Sequence, residues 1–371
     1  MTYDVGIIGA GLAGLALGIQ LSGEGHKVVI FEKSAFPFHK LCGEYLSRES
    51  LPFLRRLGLD YEGIGPAEIS RILITNASGA QLESPLDLGG IGLSRWRMDD
   101  ELARLAREQG TTILENTTVR NSEYINGAHV VHTKNGDYSC DLLISAFGKK
   151  SNLSQKNKLS KNKKNQYLGI KYHVKLADYP ADLISMHNFK DGYCGVCRLE
   201  EDWVSVCYLS HTNNLRSSGN SIQQMQEQIL YKNKAIKRLF EQAEFLYEKP
   251  IAVSNIEFKK KRLIHDHVIY VGDAAGLITP LCGNGMSMSL HGSAILAPLI
   301  SQYLRKHISE SELFNAYADS WNKKFKRRMA AGRSIQQVFR HERTADLGLK
   351  LLNCFPAVNQ RLLSLTHGAA F

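Results

Sequence analysis

The sequence predicts an α/β fold: a discontinuous domain built on a parallel sheet, a second domain with a mostly antiparallel sheet, and a helical C-terminus. Three observations carry this reading. The chain opens with a buried strand, a glycine turn, a helix and a second buried strand, the parts of a βαβ unit. Its middle reads as short strands separated by turn residues. After one last buried strand, the rest of the chain has helical periodicity.

Residues 3–8 are β-branched and apolar and read as a buried strand, followed by a glycine turn over 9–14. A helix is predicted over 12–21, stopped by Gly23 and Gly25, and a second buried strand over 27–31. Residues 37–47 read as a loop and 48–57 as a helix. Strands over 71–75 and 80–83 flank the turn Ala77-Ser78-Gly79. An amphipathic helix over 98–109 is opened by Asp99 and closed by Gly110. Short strands are predicted over 112–114, 119–121, 128–132 and 138–145, with a turn at Asn135-Gly136. The lysine-rich stretch 149–165 reads as a polar loop or disordered crossover. Residues 167–209 alternate as strands about the turn Asp191-Gly192, and 221–247 read as helical. A last buried strand at 268–271 precedes helices over 284–307, 311–340 and 345–360.

The bulk numbers fit a globular chain. With 371 residues, 43% apolar and 22% charged, it can bury a sizeable core. No apolar run is long enough for a transmembrane helix, and the first residues lead directly into a strand rather than through a signal peptide. Seven scattered cysteines point to reduced thiols and a cytoplasmic setting. Cys194 and Cys197 form a C-x-x-C without a second pair at zinc spacing, so they read as small residues on a strand and no metal is expected. The net charge of +10 is concentrated in 149–164, 259–262 and 323–328. Such runs are solvated surface, or they attract an acidic partner or an anionic membrane face. No basic stretch is interleaved with aromatics, so nucleic acid is not expected as a partner.

The first motif with chemistry is Gly9-Ala10-Gly11-Leu12-Ala13-Gly14. It follows a strand and opens a helix, the context that makes a G-x-G-x-x-G informative. Gly9 permits the tight turn, Gly11 lets a pyrophosphate approach the backbone, and Gly14 lets the helix pack on the sheet. The positive end of the helix dipole then faces the phosphates. Glu32 closes the second strand, where a carboxylate can accept both hydroxyls of an adenosine ribose. Together these predict a Rossmann-like dinucleotide site. The second motif lies near the other end: the strand Val268-Ile269-Tyr270-Val271, then Gly272-Asp273-Ala274-Ala275-Gly276, then Pro280-Leu281-Cys282-Gly283-Asn284-Gly285 leading into a helix.

These motifs, in this order, resemble the FAD-dependent monooxygenase and geranylgeranyl reductase superfamily, which shares the para-hydroxybenzoate hydroxylase fold. The resemblance covers nearly the whole chain. It implies FAD as cofactor, with NAD(P)H or another reductant as electron donor. It further implies a discontinuous FAD-binding domain over 1–70, 95–165 and 255–310, a substrate domain over 71–94 and 166–254, and a C-terminal helical segment over 311–371. Asp273 would hydrogen-bond a ribityl hydroxyl. The helix start at Gly283, Asn284, Gly285 and Met286 would stabilise negative charge at the pyrimidine end of the flavin. Ser94-Arg95-Trp96-Arg97-Met98-Asp99 resembles the family's helix-opening segment, in which Arg95 would reach the FAD phosphates. Val119 matches a position whose backbone contacts adenine, and Ala13, Lys33 and Gly148 complete the implied cofactor set. Lys40-Leu41-Cys42-Gly43-Glu44-Tyr45-Leu46-Ser47 resembles a segment beside the flavin in the reductase branch. There Cys42 and Gly43 would lie against the cofactor. Cys42 is the one candidate for touching substrate or, equally, a packing residue, and no catalytic residue is otherwise assigned.

The sequence also departs from the family. Phe147 stands where an Asp-Gly motif is usual, which leaves direct reduction by NADPH open. Gly192 to Arg198 lacks the aromatic residues common in the reductase branch, whereas Gly276 replaces a histidine common in aromatic hydroxylases. Two enzymatic readings stand: reduction of a carbon–carbon double bond in an apolar, extended lipid or polyene, and oxygen-dependent hydroxylation. A flavin-binding electron-transfer protein is the third, to be told apart by the lack of an apolar cavity beside the flavin. The substrate would be a small apolar molecule, free, carrier-tethered or membrane-borne, in a protein either cytoplasmic or peripheral to a membrane. The oligomeric state is not predicted.

Overall fold

The protein is described by a computed structural model covering residues 2–149, 166–258, 261–278, 283–340, 342–355 and 368–371. The lysine-rich stretch beyond Lys149, the motif residues Pro280, Leu281 and Cys282, and the predicted helix beyond residue 355 lie outside these. In chain order, the first half holds β1 (Thr2–Ile8), α1 (Leu12–Gly23), β2 (Val28–Phe31), β3 (Tyr45–Ser47), α2 (Leu51–Arg56), β4 (Ala67–Thr75), β5 (Gln81–Gly92), α3 (Arg95–Glu108), β6 (Thr112–Leu114), β7 (Val119–Ile125), β8 (Ala128–Thr133) and β9 (Gly136–Ser145). Then follow β10 (Tyr167–Lys175), β11 (Leu183–Phe189), β12 (Gly192–Arg198), β13 (Trp203–His211), α4 (Thr212–Ser217), α5 (Ile222–Gln228), α6 (Lys234–Gln242), β14 (Glu244–Phe245), β15 (Ile251–Ile256), β16 (Ile264–His265) and β17 (Val268–Tyr270). The chain ends in α7 (Gly285–Leu304), α8 (Glu310–Arg340) and α9 (Glu342–Cys354).

Two sheets result. The first runs β16-β17-β9-β1-β2-β6, with β17, β9, β1, β2 and β6 parallel and the meander β7-β8 continuing from β9. Its register sets Ile8 opposite both Phe31 and Ser145, and Ser145 opposite Tyr270. The turns after β1, β9 and β17 therefore leave the carboxyl edge side by side, where parallel α/β sheets bind ligands. The second sheet runs β14-β10-β13-β12-β11-β4-β5-β3, with β15 on β10, and is antiparallel except for β11 on β4.

Helix α1 is buried on nearly all sides because it lies between the parallel sheet, α3 and α7. Leu15, Leu17 and Leu21 are fully buried, each worth about 1.5–3 kcal/mol. Helix α3 buries the stripe Met98, Leu102, Ala103 and Ala106, and Ser94 caps it by accepting from the Arg97 N–H.

Some elements differ from the sequence expectation. Tyr45–Ser47, expected in a loop, is a strand because Tyr45, Leu46 and Ser47 are buried against Gly90–Gly92. The helical stretch over 221–247 is two helices and a strand. Ser221 caps α5, Asn233 caps α6, and Glu244–Phe245 pair with Val174 and Lys175. Asn233 breaks the run because its buried side chain also donates to Thr75 and the Asn188 carbonyl. Cys194 and Cys197 lie buried on β12 as free thiols.

Candidate active site

The glycine turn after β1 is built by close approach. Gly9 has φ +104°, and a Cβ there would lie 2.7 Å from the Ala146 carbonyl oxygen. A Cβ on Gly14 would lie 2.1 Å from the Gly9 carbonyl oxygen, so α1 cannot start here with any side chain at that position. Gly11 differs: a Cβ would meet only the Arg95 guanidinium at 3.8 Å and the Lys40 ammonium at 4.0 Å. Its bare backbone faces an open cleft that two cations overlook. Glu32 is locked beside the turn, accepting from the Ala10 N–H at 2.9 Å and the Ser34 N–H at 3.1 Å.

Asp99 organises those cations. It is 1% exposed and accepts two hydrogen bonds from Arg95, both 2.7 Å, while its Oδ2 lies 2.8 Å from Lys40 Nζ. Burial would raise its carboxyl, but Arg95 and Lys40 hold it below the usual range. Lys40 also donates to the Ala10 carbonyl at 2.8 Å. Two cations against one carboxylate leave positive charge over the turn, added to the α1 dipole. This donor set fits a pyrophosphate.

Across the cleft, Gly272 with φ +63° opens a short 3₁₀ turn that carries Asp273. The Asp273 carboxylate, 22% exposed, lies 4.0 Å from Lys149 Nζ, and its carbonyl accepts from Lys261. Helix α7 then starts at Gly285 with no side-chain cap, leaving its first N–H groups for an anion. Gly276 lies where Trp321 and Met329 of α8 come within 3.0–3.2 Å of a built Cβ. The C-terminal helix thus occupies the space that a larger residue at 276 would need.

A cavity of about 1270 Å³, open mouth included, joins these parts. Of the residues expected at the cofactor, Gly11, Ala13, Cys42, Gly43, Arg95, Gly148, Asp273, Gly283, Gly285 and Met286 line it. Gly9, Gly14 and Glu32 shape the turn beside it. Lys33 is exposed, Val119 is buried at the start of β7, and Asn284 is buried at the start of α7, none of them on the cavity wall. The cavity continues as an apolar chamber under the second sheet, between Leu41, Met186, Tyr193, Leu209, Ile256 and Leu277. Leu41 closes over Gly169, where a Cβ would lie 2.3 Å from its methyl. Cys197 and Cys207 also face the chamber; burial raises both thiols, Cys207 to about 12, which disfavours their thiolate forms.

The sequence reading missed the ionic group at the junction of cleft and chamber. Glu44, Lys171 and His173 are all fully buried. Glu44 Oε1 accepts from Lys171 Nζ and from the Arg95 N–H at 2.8 Å, and Oε2 lies 2.6 Å from His173 Nε2. Burial alone would raise the Glu44 carboxyl, but Lys171 and then His173 hold it at about 2. Glu44 has φ +61°, a strained conformation for a side-chain-bearing residue. His39 packs against His173 and Trp96, and burial lowers it to about 4. The partners in this group are over a hundred residues apart, and only the pairing of β10 beneath the 40–45 loop brings them together. The buried charges on β10 were the one available signal.

Comparison with known proteins agrees with this architecture. A family described as "FAD binding domain" matches residues 2–329. Conditioned medium factor receptor 1 of Dictyostelium discoideum is 25% identical over 352 residues, covering 87% of this chain and 68% of the relative. Digeranylgeranylglycerophospholipid reductase 2 of Methanopyrus kandleri is 23% identical, covering 91% of this chain and 87% of the relative. Among solved structures, a flavin-dependent brominase superposes with a TM-score of 0.82 at 20% identity, covering 100% of this chain and 94% of its own. A geranylgeranyl bacteriochlorophyll reductase-like protein from Thermoplasma acidophilum gives 0.80 at 17% identity, covering 98% and 99%. At these identities the solved structures establish the fold alone.

Proposed function

The chain belongs to the FAD-binding-domain family and is an FAD-dependent oxidoreductase, and from that premise we propose that it reduces a carbon–carbon double bond in an extended, apolar lipid or polyene. The observation that carries this reading is the apolar chamber continuous with the cofactor cleft, with Cys42 and Gly43 at their junction. An electron-transfer protein has no use for such a chamber. The M. kandleri relative named as a lipid reductase supports the substrate class.

In this reading Gly11, the α1 N-terminus, Arg95 and Lys40 hold the pyrophosphate, Glu32 the adenosine ribose, Asp273 the ribityl chain, and residues 283–286 the pyrimidine end. Bound FAD, reduced by NAD(P)H or another donor, supplies the hydride. The chain's own residues orient the alkene, exclude water with Leu41, Met186 and Leu209, and admit a proton to the second carbon. In this reading Cys42, half-buried on the chamber lip, touches the substrate there. Among the described residues no helix is long and apolar enough to cross a membrane. Leu347 and Leu351 on α9 nonetheless form an exposed apolar pair at i, i+4, with the exposed Phe355 just past the helix end, and the +10 net charge supports presentation of the substrate on an anionic membrane face.

The test is anaerobic. Chemically reduced, FAD-loaded protein is mixed with geranylgeranyl lipids and shorter polyenes while the flavin spectrum is followed. The flavin should reoxidise without oxygen and the product should gain two hydrogens. If the flavin stays reduced until air enters and the product then gains an oxygen atom, the enzyme is a hydroxylase.

A further inference from the structure

The second sheet turns one face to the chamber, and that face changes character along its length. Alternate residues of a strand share a face. On β10 these are Lys171 and His173 near the 40–45 loop, then Gly169 under Leu41, then Tyr167. On β11 they are Ile184, Met186 and finally Asn188. This face of the sheet is thus ionic beside the cofactor cleft, apolar along the chamber and polar again past its end, where a second cavity begins.

That far end has unmet hydrogen bonds. Asn188 is 3% exposed, and among the described residues neither its amide oxygen nor its amide nitrogen has a partner. One step beyond Leu209 on β13, His211 is 5% exposed; its Nδ1 accepts from the Asn213 N–H, so Nε2 carries the proton and likewise has no partner among the described residues. Asn188 lies about 7 Å beyond Met186 along the strand. It lines a small second cavity whose walls Tyr193 and Leu209 are shared with the main chamber. Asp191 lies in the same wall, and Gln336 and Phe339 of α8 cover it. Buried amides are normally paired, and one left without partners on a cavity wall calls for a ligand.

We infer that this end of the chamber is a head-group subsite, in which Asn188 binds an uncharged hydroxyl or carboxamide at one end of an otherwise apolar substrate. The amide can donate to the head and accept from it, and Asp191 disfavours an anionic head. The inference rests on the proposed apolar substrate and adds where its polar end lies, farthest from the cofactor cleft.

Straight-chain alcohols from octanol to hexadecanol, and alkanes of matching length, are titrated into the FAD-loaded protein and into Asn188→Leu, with binding read from the flavin absorption spectrum. Asn188→Leu should weaken the best alcohol about five- to tenfold while leaving the matching alkane unchanged or tighter. Its Tm should not fall, because an unpartnered amide leaves the core. Asn188→Ser, which keeps a hydroxyl, should retain part of the preference and answers the question even if the leucine variant folds poorly. If alcohols bind the wild type and both variants alike, the head-group subsite is wrong and the apolar chamber stands. If neither series perturbs the flavin, the chamber reading and this inference fall together.

Discussion

Two glycines of one turn should fail in opposite ways when they gain a side chain. In Gly14→Ala the new methyl lies 2.1 Å from the Gly9 carbonyl oxygen, with Gly9 C and Ile7 Cγ2 at 3.3 Å. These neighbours are backbone and a fully buried side chain, so the cost falls on the fold, about 1–3 kcal/mol or more. In Gly11→Val the backbone is extended, φ −91° and ψ −176°, and the nearest atoms to a Cβ are 3.8 Å and 4.0 Å away. The fold should not notice. The side chain would instead stand where the pyrophosphate must meet backbone N–H groups. Losing two charge-assisted hydrogen bonds, about 1.5–3 kcal/mol each, corresponds to roughly two to four decades in Kd. The assay pairs thermal unfolding of the apoprotein with an FAD titration followed by fluorescence quenching. Gly11→Val should keep the wild-type Tm and lose FAD affinity at least about a hundredfold, whereas Gly14→Ala should unfold earlier even without FAD. Wild-type FAD affinity in Gly11→Val would refute the assignment of this turn to the phosphates.

Two further predictions concern buried charge. Glu44→Gln strands Lys171 without its carboxylate and should destabilise by about 3–5 kcal/mol, with Lys171→Met recovering part of the loss in the double variant; urea unfolding checks both. His187 is held between the Thr75 and Ser185 hydroxyls, and burial lowers it to about 4 from 6.5. A depressed histidine favours the neutral fold, so its contribution is complete above pH 6.5 and is lost as pH falls toward 4. His187→Gln should therefore flatten the stability–pH curve in that window by up to about 3 kcal/mol, and an unchanged slope would assign the acid sensitivity elsewhere.

What the sequence revealed about the site depends on distance along the chain. The turn Gly9 to Gly14, Glu32 and the Asp273 turn were readable because each belongs to a contiguous strand–turn–helix pattern whose spacing is set by local geometry. The parallel and antiparallel sheets followed from strand length and turn residues. The Glu44–Lys171–His173 group was not readable, since it depends on β10 passing under a loop far earlier in the chain. Asn188 was equally silent: an asparagine near a turn reads as turn chemistry until the strand places it on the chamber face. The strand Tyr45–Ser47 was hidden because its glycine-containing approach looks like a loop, and only burial against Gly90–Gly92 makes it a strand.

The segment 40–47, the part of the resemblance that pointed to the reductase branch, has a physical account in the structure. Lys40 reaches the phosphate turn through the Ala10 carbonyl and Asp99. Leu41 fills the space that Gly169 leaves on the second sheet and walls the chamber. Glu44 joins Lys171 and His173 of that sheet to the first N–H of α3, whose next turn carries Asp99. Tyr45–Ser47 then enter the second sheet as a strand. Eight residues therefore tie the cations above the phosphate turn to the floor of the chamber through hydrogen bonds and packed contacts, between the buried Asp99 and the buried Lys171. A substitution at Glu44 must act on both ends at once. Glu44 holds the strained φ of +61° there while its carboxylate answers the buried Lys171 and His173, which would otherwise be left without a counter-charge.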